Sequence, residues 1–205
     1  MIVIIDYGLG NLGSVKNALD KLGIVSMVSK LTTDIEKADG LILPGVGSAS
    51  EGMKNLQKSG LDKVIRGQIE KKKPFLGICL GMQLLFSSSE EGNTICLNVI
   101  DGKVKKFKTD LKVPQTGWNQ VNQRTSRLFS KIKLNSYFYF VHSFYCQPGD
   151  RRTEIGTTDY GATFCSAFEN ENVFGVQFHP EKSGENGIKL LNNFKDIVYA
   201  NNTGN

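Results

Sequence analysis

Short apolar runs, closed by turns and followed by residues at helical spacing, limit what the first half of this chain can fold into. Ile2–Asp6 runs into Tyr7-Gly8-Leu9-Gly10-Asn11-Leu12-Gly13. Val15, Ala18, Leu19 and Leu22 follow at the spacing of one helix face. Asn11 is placed to cap that helix at its start and Gly23 to close it. Val25–Val28 reads as a second strand, with a short polar segment from Thr32 to Lys37 after it. Gly40–Leu43 reads as a third, followed by the loop Pro44-Gly45-Val46-Gly47-Ser48 and helical pattern through Met53–Leu56 and Leu61–Ile69. Phe75–Ile78 is the fourth, leading into Met82-Gln83-Leu84-Leu85-Phe86 as the first turns of another helix. Strands alternating with helices in this way predict an α/β fold, with a central, mostly parallel sheet covered by helices on both faces.

Beyond about residue 93 the texture changes. Val99–Phe107, Gly117–Val121, Tyr137–Val141, Thr153–Thr157, Phe164–Glu169 and Val173–Phe178 are short, aromatic and β-branched, with turns between. This half reads as strand-rich and partly antiparallel. Arg127–Ile132 suggests one helical turn. Ile188, Leu191, Phe194, Ile197 and Val198 mark a final amphipathic helix, before a frayed tail, Asn201–Asn205. With no repeat and no linker, the 205 residues read as one domain, 1–205.

The chemistry centres on Gly77-Ile78-Cys79-Leu80-Gly81. A reactive residue between glycines, where a strand turns into a helix, is the geometry of a nucleophile elbow. Glycines let the backbone turn sharply and lift Cys79 clear of the sheet. The Leu80 amide and the start of the following helix would then lie beside the sulfur and favour negative charge there. The competing reading of Cys79 is a buried structural thiol. The elbow favours the nucleophile.

A thiol nucleophile needs a base, and the chain has two histidines. His179 stands in Phe178-His179-Pro180-Glu181, where Glu181 could orient its imidazole. His142 stands among aromatics in Tyr139-Phe140-Val141-His142-Ser143-Phe144 with no acid near. It reads as the wall of a substrate pocket or a satisfied buried histidine. In a parallel sheet the Pro44–Gly47 loop falls beside the elbow, so an amide of Val46 or Gly47 can join that of Leu80 in facing an oxyanion. Gly8-x-Gly10-x-x-Gly13 also fits a dinucleotide fingerprint, but the acid that motif needs at the end of the second strand is missing. The first acid is Asp34, beyond it.

Composition removes other classes. The apolar opening run is too short to span a membrane and lacks the basic start of a signal peptide, so it reads as a strand. The four cysteines are scattered without metal-ligand or disulfide-framework spacing, which fits a reducing cytoplasm. The charge of +5 is modest, and the lysines at 71–73 and across Gly102–Lys112 read as solvated faces rather than a nucleic-acid groove.

The elbow, the Pro44-Gly45-Val46-Gly47 loop and His179-Pro180-Glu181, in this order, resemble the class I glutamine amidotransferases, whose domains hydrolyse glutamine by a Cys-His-Glu triad. Ile5-Asp6-Tyr7-Gly8-Leu9-Gly10-Asn11-Leu12, Gly117-Trp118-Asn119, Tyr139-Phe140-Val141-His142-Ser143 and His179-Pro180-Glu181-Lys182-Ser183 extend it across nearly the whole chain. They are similar to the family's glutaminase subunits that deliver ammonia to a (β/α)8-barrel cyclase subunit as a heterodimer. The resemblance implies Cys79, His179 and Glu181 as catalytic residues, and Leu80, Val46 and Gly47 around the oxyanion. It implies Gln83, Tyr139, His142 and Ser143 at the glutamine. Asn11, Trp118 and Lys182, with Tyr139, it implies near the partner interface. No metal or organic cofactor is called for. Gly13, Gln115-Thr116 and Phe144 depart from the usual arginine, histidine-methionine and tyrosine. They leave open a paralogue that feeds a different barrel, for instance in surface-sugar amidation. A non-catalytic nucleotide-binding module and a stand-alone cysteine hydrolase are the rival classes.

Overall fold

The structure of the protein is a computed structural model describing residues 1–202. Its N-terminal half alternates strands and helices. β1 (Ile2–Ile5), α1 (Leu12–Lys21), β2 (Ser26–Ser29), α2 (Thr32–Lys37), β3 (Gly40–Gly45), α3 (Ala49–Ser59), α4 (Leu61–Glu70) and β4 (Phe75–Cys79) occur in that order. After α5 (Leu80–Gln83) come β5 (Phe86–Ser89), β6 (Thr94–Ile95), β7 (Ile100–Lys106), β8 (Gln115–Gln120), β9 (Asn122–Gln123), β10 (Tyr137–His142), β11 (Phe144–Pro148), β12 (Glu154–Asp159), β13 (Thr163–Asn170) and β14 (Val173–Val176). The chain closes on α6 (Gly184–Asn202).

One sheet runs in the order β2-β1-β3-β4-β14-β13-β11-β7-β5-β6, with β12 on β13 and β9 on β12. From β2 to β14 every pairing is parallel. From β14 through β13 and β11 to β7 the pairings are antiparallel. β8 and β10 form a separate antiparallel ribbon.

The parallel strands show why their sequences are continuously apolar. Ile2, Val3, Ile4 and Ile5 are all fully buried, and alternate residues serve opposite faces. Ile2, Ile4, Ile42, Leu76 and Ile78 pack with Val15 and Leu19 of α1 and Leu190, Leu191 and Phe194 of α6. Val3, Ile5, Leu41, Leu43 and Phe75 pack with Ile35 of α2, Met53 and Leu56 of α3, and Leu61 and Ile65 of α4. Ser48 caps α3 by accepting from the Glu51 amide. Asn11 precedes α1, but its side chain makes no cap bond. Gly23 lies just beyond the end of α1 with φ +65°, and its N–H donates to the Asp20 carbonyl.

Several boundaries differ from the sequence reading. Thr32–Lys37 is a helix that buries Ile35. β3 extends through Pro44 and Gly45, so the oxyanion loop starts later. The expected helix through Phe86 is a single turn, and Phe86 begins β5 instead. β11 has no counterpart in the sequence reading. Arg127–Ile132 forms hydrogen-bonded turns and not a helix. The expected tail begins inside α6, which includes Asn201 and Asn202, and residues 203–205 lie outside the described residues.

Glycine sets the close contacts around β4. A Cβ at Gly77 would lie 2.7 Å from the Gly81 carbonyl oxygen, and one at Gly81 would overlap the Leu43 carbonyl. Gly81→Ala is therefore expected to cost more than about 3 kcal/mol in denaturant unfolding, because backbone and not a flexible side chain must move. Gly67→Ala, in α4 with nothing within 4 Å of the new methyl, should instead stabilise by up to about 1 kcal/mol. Equal effects from the two would refute the packing argument.

Candidate active site

Three strand ends converge. In the parallel register Gly45 of β3 is opposite Cys79 of β4, and Ile78 is opposite Val176 of β14. The loop after β3 and the Gln177–Glu181 segment after β14 therefore flank the cysteine on its two sides. Such crevices at the carboxyl ends of parallel strands are where α/β sheets bind ligands.

Cys79 has φ +54° and ψ −110°, a conformation that L residues rarely adopt. It is 6% exposed and borders a cavity of about 280 Å³. Val46, Gly47, Leu80, Gln83, Glu91, Pro114, Val141, His142, Ser143 and Phe144 complete the lining. The one-turn α5 is too short for a helix dipole of any size. What it offers is the individual amides at its start, which no helical carbonyl can satisfy. Gly47 has φ +102°, so the peptide beside the sulfur takes an orientation that a side chain would oppose.

His179 is buried, and its Nδ1 lies 2.9 Å from Glu181 Oε1, with both side chains at most 3% exposed. Burial alone would lower the His179 pKa. The Cys79 side chain and the Glu181 carboxylate outweigh burial and raise it from 6.5 to about 10. Its Nε2 nevertheless has no partner within hydrogen-bonding geometry. The Cys79 side chain thus favours the protonated ring, while Nε2 forms no hydrogen bond in the resting structure. Catalytic pairs commonly sit this way and tighten in the Michaelis complex.

His142 is different. Nδ1 is 2.7 Å from the Phe144 carbonyl, which can only accept, so the proton sits on Nδ1. Nε2 is left with only a lone pair, so the Gln115 side-chain atom 3.0 Å from it can bond it only as the amide NH2. Burial lowers its pKa to about 4, opposed in part by the Phe144 bond and helped by the charge on His179. With both nitrogens engaged and the ring neutral, His142 is a wall of the cavity.

The other thiols are poor nucleophiles. Burial, with Glu91 adding to it, pushes Cys96 up to about 11, and burial holds Cys146 and Cys165 well above the usual range. Among the described residues no group of three His, Cys, Asp or Glu is placed to hold a metal ion.

Of the residues expected at the glutamine, Gln83, His142 and Ser143 line the cavity and Tyr139 does not. Strand alternation turns the Tyr139 ring to the outer face, edge-on to Trp118 at 6.2 Å, with Lys182 Nζ 5.9 Å above it. Trp118 is 57% exposed and sits in β8 opposite Tyr139. This outer ladder is tied to the catalytic segment. The His179 amide donates to the Tyr139 carbonyl, and Ser183 Oγ accepts from the Tyr139 amide and donates to the His179 carbonyl. Asn11 is half-buried at the start of α1, which packs against the Pro180–Lys182 turn.

Within the Gly8–Gly13 motif, packing accounts for Gly10 but not for Gly13. Gly10, φ +124°, lies against the Pro44 carbonyl, and Gly13 meets nothing within 4 Å. Asp34 is held by the Ser29 hydroxyl at 2.6 Å.

Sequence reasoning missed Glu91, Tyr7 and Gln177. Glu91 borders the cavity, with Oε2 accepting from the Ala49 amide at 2.7 Å. Within Glu90-Glu91-Gly92-Asn93 it looks like any surface turn. The Tyr7 hydroxyl is buried without a partner against the Cα side of Gly45, and burial, then the charge of Cys79, raises its pKa. Gln177 could have been noticed as the polar residue inside the apolar run Val173–Phe178.

The model of the class I glutamine amidotransferase family matches residues 3–197, and the chain belongs to that family. Within it, the chain is 48% identical over 206 residues to the imidazole glycerol phosphate synthase subunit HisH of Moorella thermoacetica, covering 99% of this chain and 98% of that one. It is 47% identical over 196 residues to the subunit of the same name from Dehalococcoides mccartyi, covering 95% and 96%. A glutamine amidotransferase crystal structure, 17% identical, superposes with a TM-score of 0.78 over 97% of this chain and all of its own. At that identity the likeness is one of fold.

The neutral, buried His142 makes stability depend on pH. An unfolded histidine titrates near 6.5 and the folded one near 4. Between those values only the unfolded chain holds the proton. The contribution is fully present above about pH 6.5, is lost as pH falls towards 4, and is on the order of 3 kcal/mol. Denaturant unfolding across that window should show a smaller loss for His142→Gln than for the parent. Equal losses would show that His142 is not the group responsible.

Proposed function

We propose that this chain is a glutaminase subunit. It hydrolyses glutamine to glutamate and ammonia and passes the ammonia to a (β/α)8-barrel cyclase subunit. The heterodimer is an imidazole glycerol phosphate synthase of histidine biosynthesis, working in the cytoplasm. The observation that carries the chemistry is Cys79, in left-handed backbone at a strand end, beside an imidazole whose other nitrogen is held by a buried carboxylate. The choice of acceptor rests on the name shared by the two near-full-length relatives.

Glutamine enters with its carboxamide towards Cys79. The Glu91 carboxylate suits the substrate's α-ammonium. Gln83 donates to the Phe144 carbonyl and to Gln177, so its carbonyl oxygen is what it has left for the substrate. His142 and Ser143 form the adjoining wall. The Cys79 thiolate attacks the amide carbon, and charge moves to the oxygen, held by the Leu80 amide and an amide of the Val46–Gly47 loop. His179, kept protonated by Glu181, gives its Nε2 proton to the leaving nitrogen. The C–N bond breaks, leaving ammonia and a glutamyl thioester. Water then loses a proton to His179 and attacks the thioester, and glutamate departs as the C–S bond breaks. These steps use no metal and no organic cofactor.

Cys79→Ser should abolish glutaminase activity with an unchanged circular dichroism spectrum, since a serine there lacks the intrinsic nucleophilicity of a thiolate. His179→Ala should cost roughly 10²–10⁴ in kcat, and His142→Ala far less. A more damaging His142→Ala would reverse the assignment.

The exposed Trp118–Tyr139–Lys182 ladder, with Asn11 beside it, is the proposed cyclase-facing surface. A large aromatic left in water is the usual anchor of such a contact. Trp118→Ala should weaken binding of the cyclase subunit about 30-fold in calorimetric titration while moving Tm little. Unchanged binding would place the interface elsewhere.

A further inference from the structure

Gln177 has no exposed surface, and its backbone N–H donates to the Ser166 carbonyl at 2.9 Å. A polar side chain so buried must find its partners inside the protein, and here they all belong to the site. Gln83 Nε2 lies 3.0 Å from the Phe144 carbonyl oxygen, which only accepts, so that Gln83 atom is a nitrogen. The same nitrogen lies 3.0 Å from one terminal atom of Gln177, which must then be the oxygen. The other terminal atom of Gln177 is therefore Nε2, and it points at Cys79 Sγ from 3.7 Å. The network thus settles which way the Gln177 amide faces, and it aims a donor at the reacting sulfur.

We propose that Gln177 is a catalytic residue, donating a hydrogen bond to Cys79 Sγ and stabilising the thiolate chiefly as it leaves the glutamyl thioester. The proposal rests on the glutaminase reading and deepens it. In acylation the sulfur starts as a thiolate and loses charge as the C–S bond forms, so a donor stabilises the start more than the transition state. In deacylation the sulfur starts as a nearly neutral thioester and gains charge as that bond breaks. The same donor then stabilises the transition state more than the start, and only this second effect accelerates a step. The sulfur takes the bonding electron pair, and the proton that restores the resting pair comes from the water by way of His179.

Loss of the donor should slow thioester breakdown and spare its formation. In a two-step acyl-enzyme scheme kcat and KM then fall together and kcat/KM does not fall. Gln177→Met keeps the length and bulk of the side chain without the donor. Assayed in complex with the cyclase subunit, it should lose kcat by about tenfold, the scale of one hydrogen bond to a charged group. KM should fall at least in parallel, with kcat/KM no lower than that of the parent. Intact-mass measurement after acid quench should show the glutamyl adduct on Cys79 accumulating in the variant. A fall in kcat/KM with KM unchanged or raised would mark Gln177 as a packing residue and overturn the proposal, as would unchanged kinetics or the absence of added adduct. If circular dichroism shows Gln177→Met unfolded, Gln177→Asn, which draws the amide back by one methylene, is judged by the same criteria. A parent enzyme that forms no adduct on Cys79 would instead defeat the glutaminase reading, so the two failures are distinct.

Discussion

Strand β4 is hydrogen-bonded along both edges, to β3 on one side and β14 on the other, and both ladders are parallel. Everything at the site depends on that pair of ladders. Parallel strands end on the same edge, so three segments distant in sequence are delivered to one place. The Val46–Gly47 peptide, the Cys79 elbow and the His179–Glu181 pair each leave a strand whose register is fixed by fully buried residues on both faces. A slip of one residue would exchange the two faces of β4 and turn its apolar set towards the wrong helices. The alignment of Gly45 with Cys79 is thus enforced by the core.

The site itself is a local concentration of unfavourable terms. Cys79 is in a conformation that costs on the order of 1–3 kcal/mol. The Tyr7 hydroxyl, His179 Nε2 and Glu181 Oε2 are buried without partners. Unsatisfied groups of this kind cost about 1–3 kcal/mol each and are rare in native interiors. Ser26 Oγ and Glu169 Oε2 are likewise unpartnered away from the site, but the Tyr7 hydroxyl and His179 both feel the charge of Cys79, beside the cavity where a substrate with its own donors and acceptors would bind. The two hydrophobic layers, one against α1 and α6 and the other against α2, α3 and α4, hold this arrangement in place.

The elbow is legible in the sequence because its chemistry and its geometry demand the same residues. Gly77 and Gly81 are needed where backbone meets backbone, and that need survives any change in the rest of the chain. His179 is legible by elimination between two histidines and by Glu181 two residues on. The segment just after the elbow is not. Met82–Phe86 is a short apolar run, and such runs fit a helix or a buried strand equally well. Packing decides for a single turn and then β5. Thr32–Lys37 is hidden as a helix because only Ile35 of its six residues is buried. Resemblance alone puts Tyr139 at the glutamine, whereas the pleat of β10 sends it to the opposite side from Phe138 and Phe140. Glu91 acquires its meaning from residues far along the chain, with no local pattern to carry it, whereas Gln177 shows locally only as a polar residue within an apolar run.

The order in which the strands enter the sheet has a consequence for how the protein is made. β14, the neighbour that brings His179 beside Cys79, is the last strand, and its pairing with β4 joins Val176 to Ile78 across nearly half the chain. Contacts of such high sequence separation form late, since the entropy of closing a long loop must be met before the pairing returns anything. On the ribosome the cysteine emerges well ahead of its base. The first half of the sheet can assemble while the edge of β4 waits for β14, so a nascent chain carries the nucleophile without the imidazole that would set it to work. Chemical competence therefore arrives together with completion of the fold.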